Sequence, residues 1–418
     1  MAREMKDSGI EWVGDIGFDF YMLKLKYVSI ILDQFRKPVT ADQRNQEGEM
    51  LYDYYGASGA IDKINDYTID DHVMLIGEDG ANLKMRNLPL MYEVNGKAWI
   101  NNHAHILKPK QGMDFYYLFY VLEAIDINPY ITGSAQPKLS QENLKNIWIP
   151  VPDVNIQIEI VRCIKGACME LDNVIGKTRA SIEEYKKLKQ VVAAQAVTKG
   201  IRGDREMKDS GVEWIGEIPE DWKVNTAFQL FTQVKNKNID LREKNLLSLS
   251  YGKIKQKSID TVRGLLPENF EGYNIVEKED IVLRLTDLQN DHKSLRVGFV
   301  TERGIVTSAY CTIRVKGVNN GKYLYYYLYS FDIAKGFYGM GAGVRQGLNW
   351  DGLKKLKIIL PSLEEQQEIV TYLDKKCSAI DDLIAKKEKY LFEIENYKKS
   401  LIYEYVTGKK EVLQKYQV

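Results

Sequence analysis

Two stretches of the chain carry apolar residues at alternating spacings of three and four, the period of an amphipathic helix. In the first, Ile164, Ala167, Leu171, Val174, Thr178, Ser181, Tyr185, Leu188, Val192 and Gln195 form a heptad seam, widened by Ile175 and Ile182. In the second the seam reads Leu373, Lys376, Ile380, Leu383, Lys387, Tyr390, Ile394, Tyr397 and Leu401, widened by Ile384 and Leu391. Asp153 and Ser362, each following a proline, are suitable N-caps, and Ser362-Leu363-Glu364-Glu365 has capping-box spacing. Each stretch predicts a helix of about 40 residues, roughly 60 Å long at 1.5 Å per residue. Neither seam is purely apolar, so a long parallel homodimeric zipper is disfavoured and a coiled coil between the two helices of one chain fits better. The plainer alternative is an amphipathic helix lying on a domain core.

Elsewhere the pattern is shorter and alternating. Residues 90–107, 278–288 and 296–315 mix β-branched and aromatic residues with Gly- and Asn-bearing breaks, as short strands joined by turns do. Tyr-rich helical stretches follow at Phe115–Ala124 and Lys322–Ser330. The predicted order is domain, helix, domain, helix, with each domain a compact α+β unit.

The order repeats because the sequence does. MKDSGIEWVGDI (5–16) returns as MKDSGVEWIGEI (207–218), identical at nine of twelve positions at an offset of 202. LSQENLKNIWIPVPDVNIQIEIV (139–161) aligns with LNWDGLKKLKIILPSLEEQQEIV (348–370) at an offset of 209. The second offset holds through Cys168/Cys377, Asp172/Asp381 and Val197-Thr198/Val406-Thr407. Heads and tails match while the middles have diverged, so one frame carries two different inserts.

Composition narrows the function. Hydrophobic residues make up 44% of the 418 and charged residues 28%, ordinary for a water-soluble globular chain. Basic and acidic side chains balance at 58 each, which excludes a generic polycation coating nucleic acid or membrane. Cys163, Cys168, Cys311 and Cys377 have no CxxC spacing, and no apolar run has membrane-spanning length. The expected setting is cytoplasmic with reduced thiols. Tyrosines number 27 against 12 phenylalanines, so many rings keep a hydroxyl for a polar partner.

No catalytic constellation emerges. Gly176-Lys177-Thr178 resembles the end of a P-loop, but Leu171 stands where the glycine is required and the tripeptide falls inside a predicted helix. Asn128-Pro129-Tyr130 lacks the second proline of an adenine methyltransferase motif. Asp153 and Glu159 lack the lysine of a nuclease motif. His103 and His105 would share a strand face, yet nothing nearby completes a metal site. No cofactor is expected.

Two unlike domains on one pseudo-symmetric frame suit a ligand read at two places, and duplex DNA is such a ligand. Residues 219–352 hold 19 Lys and Arg against 15 Asp and Glu, whereas residues 18–145 hold 13 against 17. Asn, Gln and Arg read base edges and Lys meets phosphate. The candidates in the first insert are Tyr55, Ser58, Asn82, Lys84, Arg86, Asn101, Asn102, His103, Gln136 and Lys138. In the second they are Tyr251, Lys253, Lys255, Arg284, Thr307, Ser308, Tyr310, Arg345 and Gln346. Faint echoes link the inserts: Tyr54-Tyr55-Gly56 with Ser250-Tyr251-Gly252, Asn101–His105 with Val306–Tyr310, and Gly133–Leu139 with Ala342–Leu348. Equivalent turns kept for backbone reasons would give the same echoes.

The duplicated MKDSG(I/V)EW(V/I)G heads, the GSAQPKLSQENLKNIWIPVP passage and the QxEIV-headed long helices ending in VT resemble the specificity subunit of type I restriction–modification systems. The resemblance covers essentially the whole chain. It implies two target-recognition domains, at 1–151 and 201–360, each reading half of a split DNA site. It implies two spacer helices, at 152–200 and 361–418 with the tail, packed antiparallel as an intramolecular coiled coil that sets the gap. The resemblance also implies partners: two methyltransferase subunits docked on the helices, and two ATP-dependent restriction subunits in the full complex. The partner methylates an adenine in each half-site after flipping it out of the stack, and the specificity subunit does no chemistry. A non-catalytic coiled-coil scaffold with two protein-binding domains is the alternative from another class. A self-contained nuclease or methyltransferase lacks motifs.

Overall fold

The computed structural model describes residues 4–44, 50–258, 270–288, 290–291, 294–341 and 347–412. Its principal helices are α1 (Phe115–Ala124), α2 (Val154–Lys199), α3 (Gly321–Ile333) and α4 (Leu363–Val406). The chain divides into two compact units, Met1–Thr178 with Lys389–Val418, and Arg179–Glu388. Each unit therefore holds one insert, the start of the long helix that follows it, and the end of the other long helix.

The first unit is built on strands β1 (Ser29–Ile31), β2 (Tyr52–Gly56), β3 (Gly59–Ile64), β4 (Ile69–Gly77), β5 (Met91–Ile100) and β6 (Ala104–Pro109). They form one sheet in the order β1-β6-β4-β5-β2-β3, with β2 and β5 parallel and the other neighbours antiparallel. Asp114 caps α1 by accepting from the Tyr117 N–H. Helix α1 then buries Tyr117, Leu118, Val121 and Leu122, the i, i+1, i+4, i+5 face of a helix. That face packs with Met74, Ile76 and Leu107 of the sheet, Ile160 and Ile164 of α2, and Ile402 and Val406 of α4. Fully burying a side chain of this size contributes about 1.5–3 kcal/mol, so both helix segments are anchored in the core.

The second unit uses β7 (Phe231–Gln233), β8 (Leu247–Ser250), β9 (Lys253–Gln256), β10 (Asn274–Val276), β11 (Ile281–Leu283), β12 (Val297–Phe299), β13 (Gly304–Val306) and β14 (Cys311–Val315). The sheet order is β7-β14-β11-β12, beside a β8–β9 hairpin and a β10–β13 ladder. Tyr323, Tyr327 and Leu328 of α3 pack with Ala193, Ala196 and Val197 of α2 and with Ile369, Val370 and Leu373 of α4.

The repeat is visible in the packing as well as in the sequence. The head hairpin pairs Met5 with Gly17 in one unit and Met207 with Pro219 in the other. The strand before each long helix, Trp148–Val151 or Lys357–Leu360, pairs with Tyr21–Lys24 or Lys223–Thr226. Tyr117 Oη lies 2.9 Å from the Pro150 carbonyl and 3.0 Å from that of Val406. Tyr323 Oη makes the equivalent approaches to Ile359 and Val197, at 3.0 and 3.4 Å. In each unit a buried tyrosine hydroxyl thus joins the insert, its own strand and the last turn of the other half's helix.

Inside each unit the helix segments run antiparallel. Lys398 Nζ meets Asp172 at 2.7 and 2.8 Å, and Lys189 Nζ meets Asp381 at 2.6 and 2.7 Å. The two ion pairs are one pair repeated, since both residues shift by 209.

The seam differs from the sequence expectation at alternate positions. The residues turned inward on α2 are Ile164, Cys168, Leu171, Ile175, Thr178, Ile182, Tyr185 and Lys189, while Val174 and Leu188 are 37% and 47% exposed. Helix α4 repeats the pattern with Leu373, Cys377, Ile380, Ile384, Lys387, Leu391, Ile394 and Lys398. Hydropathy alone ranks Leu188 above Lys189. The aspartate on the facing helix reverses the ranking, because the lysine stem covers the seam while its ammonium is neutralised.

Candidate nucleic-acid interface

In the first unit the polar loops at one end of the sheet meet. A Cβ on Gly77, at the end of β4, would sit 2.7 Å from the Ala57 carbonyl in the β2–β3 turn. The Glu78 N–H donates to the His103 carbonyl at 2.8 Å, and the Asn101 N–H donates to the Tyr55 carbonyl at 3.0 Å. Lys138 bridges to Asp79 and to Thr132, and the Gly80 N–H reaches the Pro137 carbonyl at 3.1 Å. The β2–β3 turn, the segment after β4, the β5–β6 turn and the 132–138 loop therefore form one surface.

Of the predicted residues, Ser58, Asn102, His103, Gln136 and Lys138 are exposed on this surface. Tyr55 is half-buried at its edge, and burial beside Asp53 raises its phenol. Lys84 is exposed and reaches the Gly133 carbonyl at 3.5 Å. Three others are spent on the fold. Asn101 is buried, its side chain accepting the His103 N–H at 2.8 Å. The Asn82 amide holds the Leu88 N–H and the Leu88 and Pro89 carbonyls. The Arg86 guanidinium takes the Ile125 and Glu123 carbonyls.

His103 and His105 do not share a face. His103 lies in the turn before β6, where strand parity does not apply, and pairs with Asp79 at 2.7 Å. His105 is buried in β6, against Asp33 and the Leu139 carbonyl.

Beneath the loops lies a charged cluster that sequence reading missed, because its members are far apart in the chain. Asp33 accepts from His105, the Ile106 N–H and Gln141, and pairs with Arg36. Burial pushes its carboxyl up, but these donors outweigh it and hold it below the usual value. Glu78 is lowered in the same way, burial being outweighed by Arg36 and Lys138.

The second unit presents a more basic surface. Tyr251 stands at the tip of the β8–β9 hairpin, 78% exposed, with a positive φ of 48°. Backbone of this kind is strained for a non-glycine residue and collects at functional positions. Exposed Lys253 and Lys255 follow on one face of β9. Ser308 is exposed, and Thr307 and Tyr310 half-buried, in the β13–β14 turn, the counterpart of the β5–β6 turn. Arg284 is half-buried and 3.7 Å from Asp291. Arg345 and Gln346 lie outside the described residues.

The loop bearing Arg284 is organised by Arg296. Its buried guanidinium bonds the carbonyls of Arg284, Thr286, Asp287 and Asp291. No group of three or more His, Cys, Asp or Glu among the described residues could hold a metal ion. None of their helices is long and apolar enough to cross a membrane.

Gly176-Lys177-Thr178 lies mid-helix in α2, the Thr178 hydroxyl bonding back to Val174. Ser362 caps α4 by accepting the Glu365 N–H at 3.2 Å. The Glu365 carboxylate, however, turns away from the cap to Arg205 and Trp222.

Comparison with known proteins bears on this arrangement. The model of the type I restriction modification DNA specificity domain matches twice, over residues 22–184 and 219–396. A protein of Methanocaldococcus jannaschii named as the type I restriction enzyme MjaX specificity subunit is 31% identical over 322 residues, 73% of this chain and 70% of the relative. One of Haemophilus influenzae, named as a type I restriction enzyme specificity subunit, is 26% identical over 382 residues, 90% of this chain and 89% of that one. A solved structure described as showing the assembly and conformational transition of the type I restriction–modification system superposes with a TM-score of 0.65. It covers 94% of this chain and 99% of its own, at 13% identity. With two copies of the domain spanning most of its length, the chain belongs to the family of type I restriction–modification DNA specificity subunits.

Proposed function

We propose that each insert reads one half of a bipartite, asymmetric DNA site, and that α2 and α4 set the gap and dock two methyltransferase subunits. The recognition domains are 1–151 and 201–360, and the spacer segments 152–200 and 361–418. The observation that carries the reading is the repeated clasp of Tyr117 and Tyr323 beneath unlike loops. Equivalent frames hold the two inserts, while the residues they expose differ in kind and charge. Ser58, Lys84, Asn102, His103, Gln136 and Lys138 face DNA in one half, and Tyr251, Lys253, Lys255, Thr307, Ser308 and Tyr310 in the other, where Arg345 and Gln346, outside the described residues, are further proposed contacts. Tyr55 and Arg284 border these surfaces.

Chemistry resides in the partners, which supply adenine methylation and, in the full complex, cleavage. Each insert alone binds weakly, and linkage raises the effective concentration of the second contact only when the spacing fits. A chain of zero formal charge leaves much of the phosphate attraction to the methyltransferase. Single-molecule methylome sequencing of the host with the gene intact and deleted tests this reading. Loss of adenine methylation at one gapped, asymmetric motif is expected; an unchanged methylome would contradict it.

A further inference from the structure

We propose that His105, held as the doubly protonated imidazolium, is the positioning residue for the loops of the first unit; this rests on the reading of those loops as a DNA surface. The ring is 1% exposed, so water does not complete its hydrogen bonds. Nδ1 lies 2.7 Å from Asp33 Oδ2, and Nε2 lies 2.8 Å from the Leu139 carbonyl. Asp33 also accepts from the Ile106 N–H and Gln141 and pairs with Arg36, as a carboxylate does, and a carbonyl can only accept, so both ring nitrogens donate. A neutral ring would set a lone pair against one of them, and an unmatched buried acceptor is costly.

The ring ties together three segments far apart in the chain. Asp33 lies in the turn after β1, His105 in β6, and Leu139 directly follows the 132–138 loop. The Leu139 N–H also donates to the Glu78 carbonyl at 2.7 Å, next to Asp79 of the loop surface. The charged groups around the ring are Asp33, Arg36, Glu78 (4.0 Å from Nε2) and Lys138, with the Asp79–His103 pair beyond. Withdrawing one proton from the ring would release the Leu139 carbonyl or set Asp33 against a lone pair.

The arrangement belongs to one half only. The repeat places Lys235, Tyr310 and Trp350 at the positions of Asp33, His105 and Gln141. Loss of His105 therefore relaxes reading in one half-site and leaves the other as an internal control for folding.

The test uses the full chain in complex with its methyltransferase partner, methylating duplexes that carry single base changes in either half-site. His105→Gln, whose amide has a single donor nitrogen and an acceptor oxygen in place of two ring N–H groups, is expected to raise methylation of duplexes altered in one half on the order of ten-fold, with the other half still discriminating. Asp33→Asn, which removes the counter-charge, is expected to act on the same half if His105→Gln fails to fold. A long-range proton–nitrogen spectrum of the histidine-labelled chain should show one histidine with both nitrogens protonated. Unchanged discrimination, equal relaxation of both halves, or a buried ring with a single proton would overturn the proposal. A wild-type complex that methylates no bipartite site would overturn the reading of the loops itself, a separate result.

Discussion

Asp332 shows how one buried group sets a pH dependence. One of its oxygens accepts the Arg296 N–H at 2.6 Å, while the other is buried without a hydrogen-bond partner among the described residues. Burial pushes its carboxyl up to about 6, against the pull of Arg296 and Lys335. The folded chain therefore binds this proton more tightly than the unfolded chain does. The resulting stability is full below pH 4 and is lost as pH rises through 6. Asp332→Asn keeps an acceptor for Arg296 and carries no charge. It should raise the free energy of unfolding at pH 8, by up to about 3 kcal/mol, with the gain shrinking towards pH 5. Thermal or denaturant unfolding across that range checks it, and an equal effect at both ends would exclude the titration. Asp332 was not marked by its sequence context, and His105 was read only as sharing a strand face with His103, because their partners lie 36 and 72 positions away. Exposed polar turn residues such as Ser58, Asn102 and Tyr251 were legible, since turns carry local signals that buried pairs lack.

The long helices were legible from their period, and their residue ranges in the structure fit it closely. Hydropathy could not choose between adjacent faces. Lys189 and Lys398 enter the seam because Asp381 and Asp172 stand opposite, and that fact belongs to two helices at once. The seam also fixes what a deletion must respect. Removing seven residues from each helix, 173–179 and 382–388, retains the heptad and shortens each by about 10 Å. The recognised gap should shrink by about three base pairs at 3.4 Å each, with both half-sites unchanged. Removing three residues from each breaks the seam and should abolish methylation. Methylomes of cells carrying each variant decide this, and an unaltered gap in the seven-residue variant would exclude the helices as the spacer.

At the scale of the whole chain the repeat was the strongest signal, because the heads are nearly copied and the tails align at one offset while the inserts have diverged. The exchange of helix ends was not legible. It depends on Val406 seating against Tyr117 and Val197 against Tyr323, contacts 289 and 126 positions long. Both frames reuse one set of contacts, so an insert can change without disturbing the helices, and reading and spacing become separable. The most direct test is to replace residues 227–347 with the corresponding insert of another family member and sequence the methylome. A motif in which one half-site is new, and the other half-site and the gap are unchanged, is expected. A motif altered in both halves, or in its gap, would contradict it.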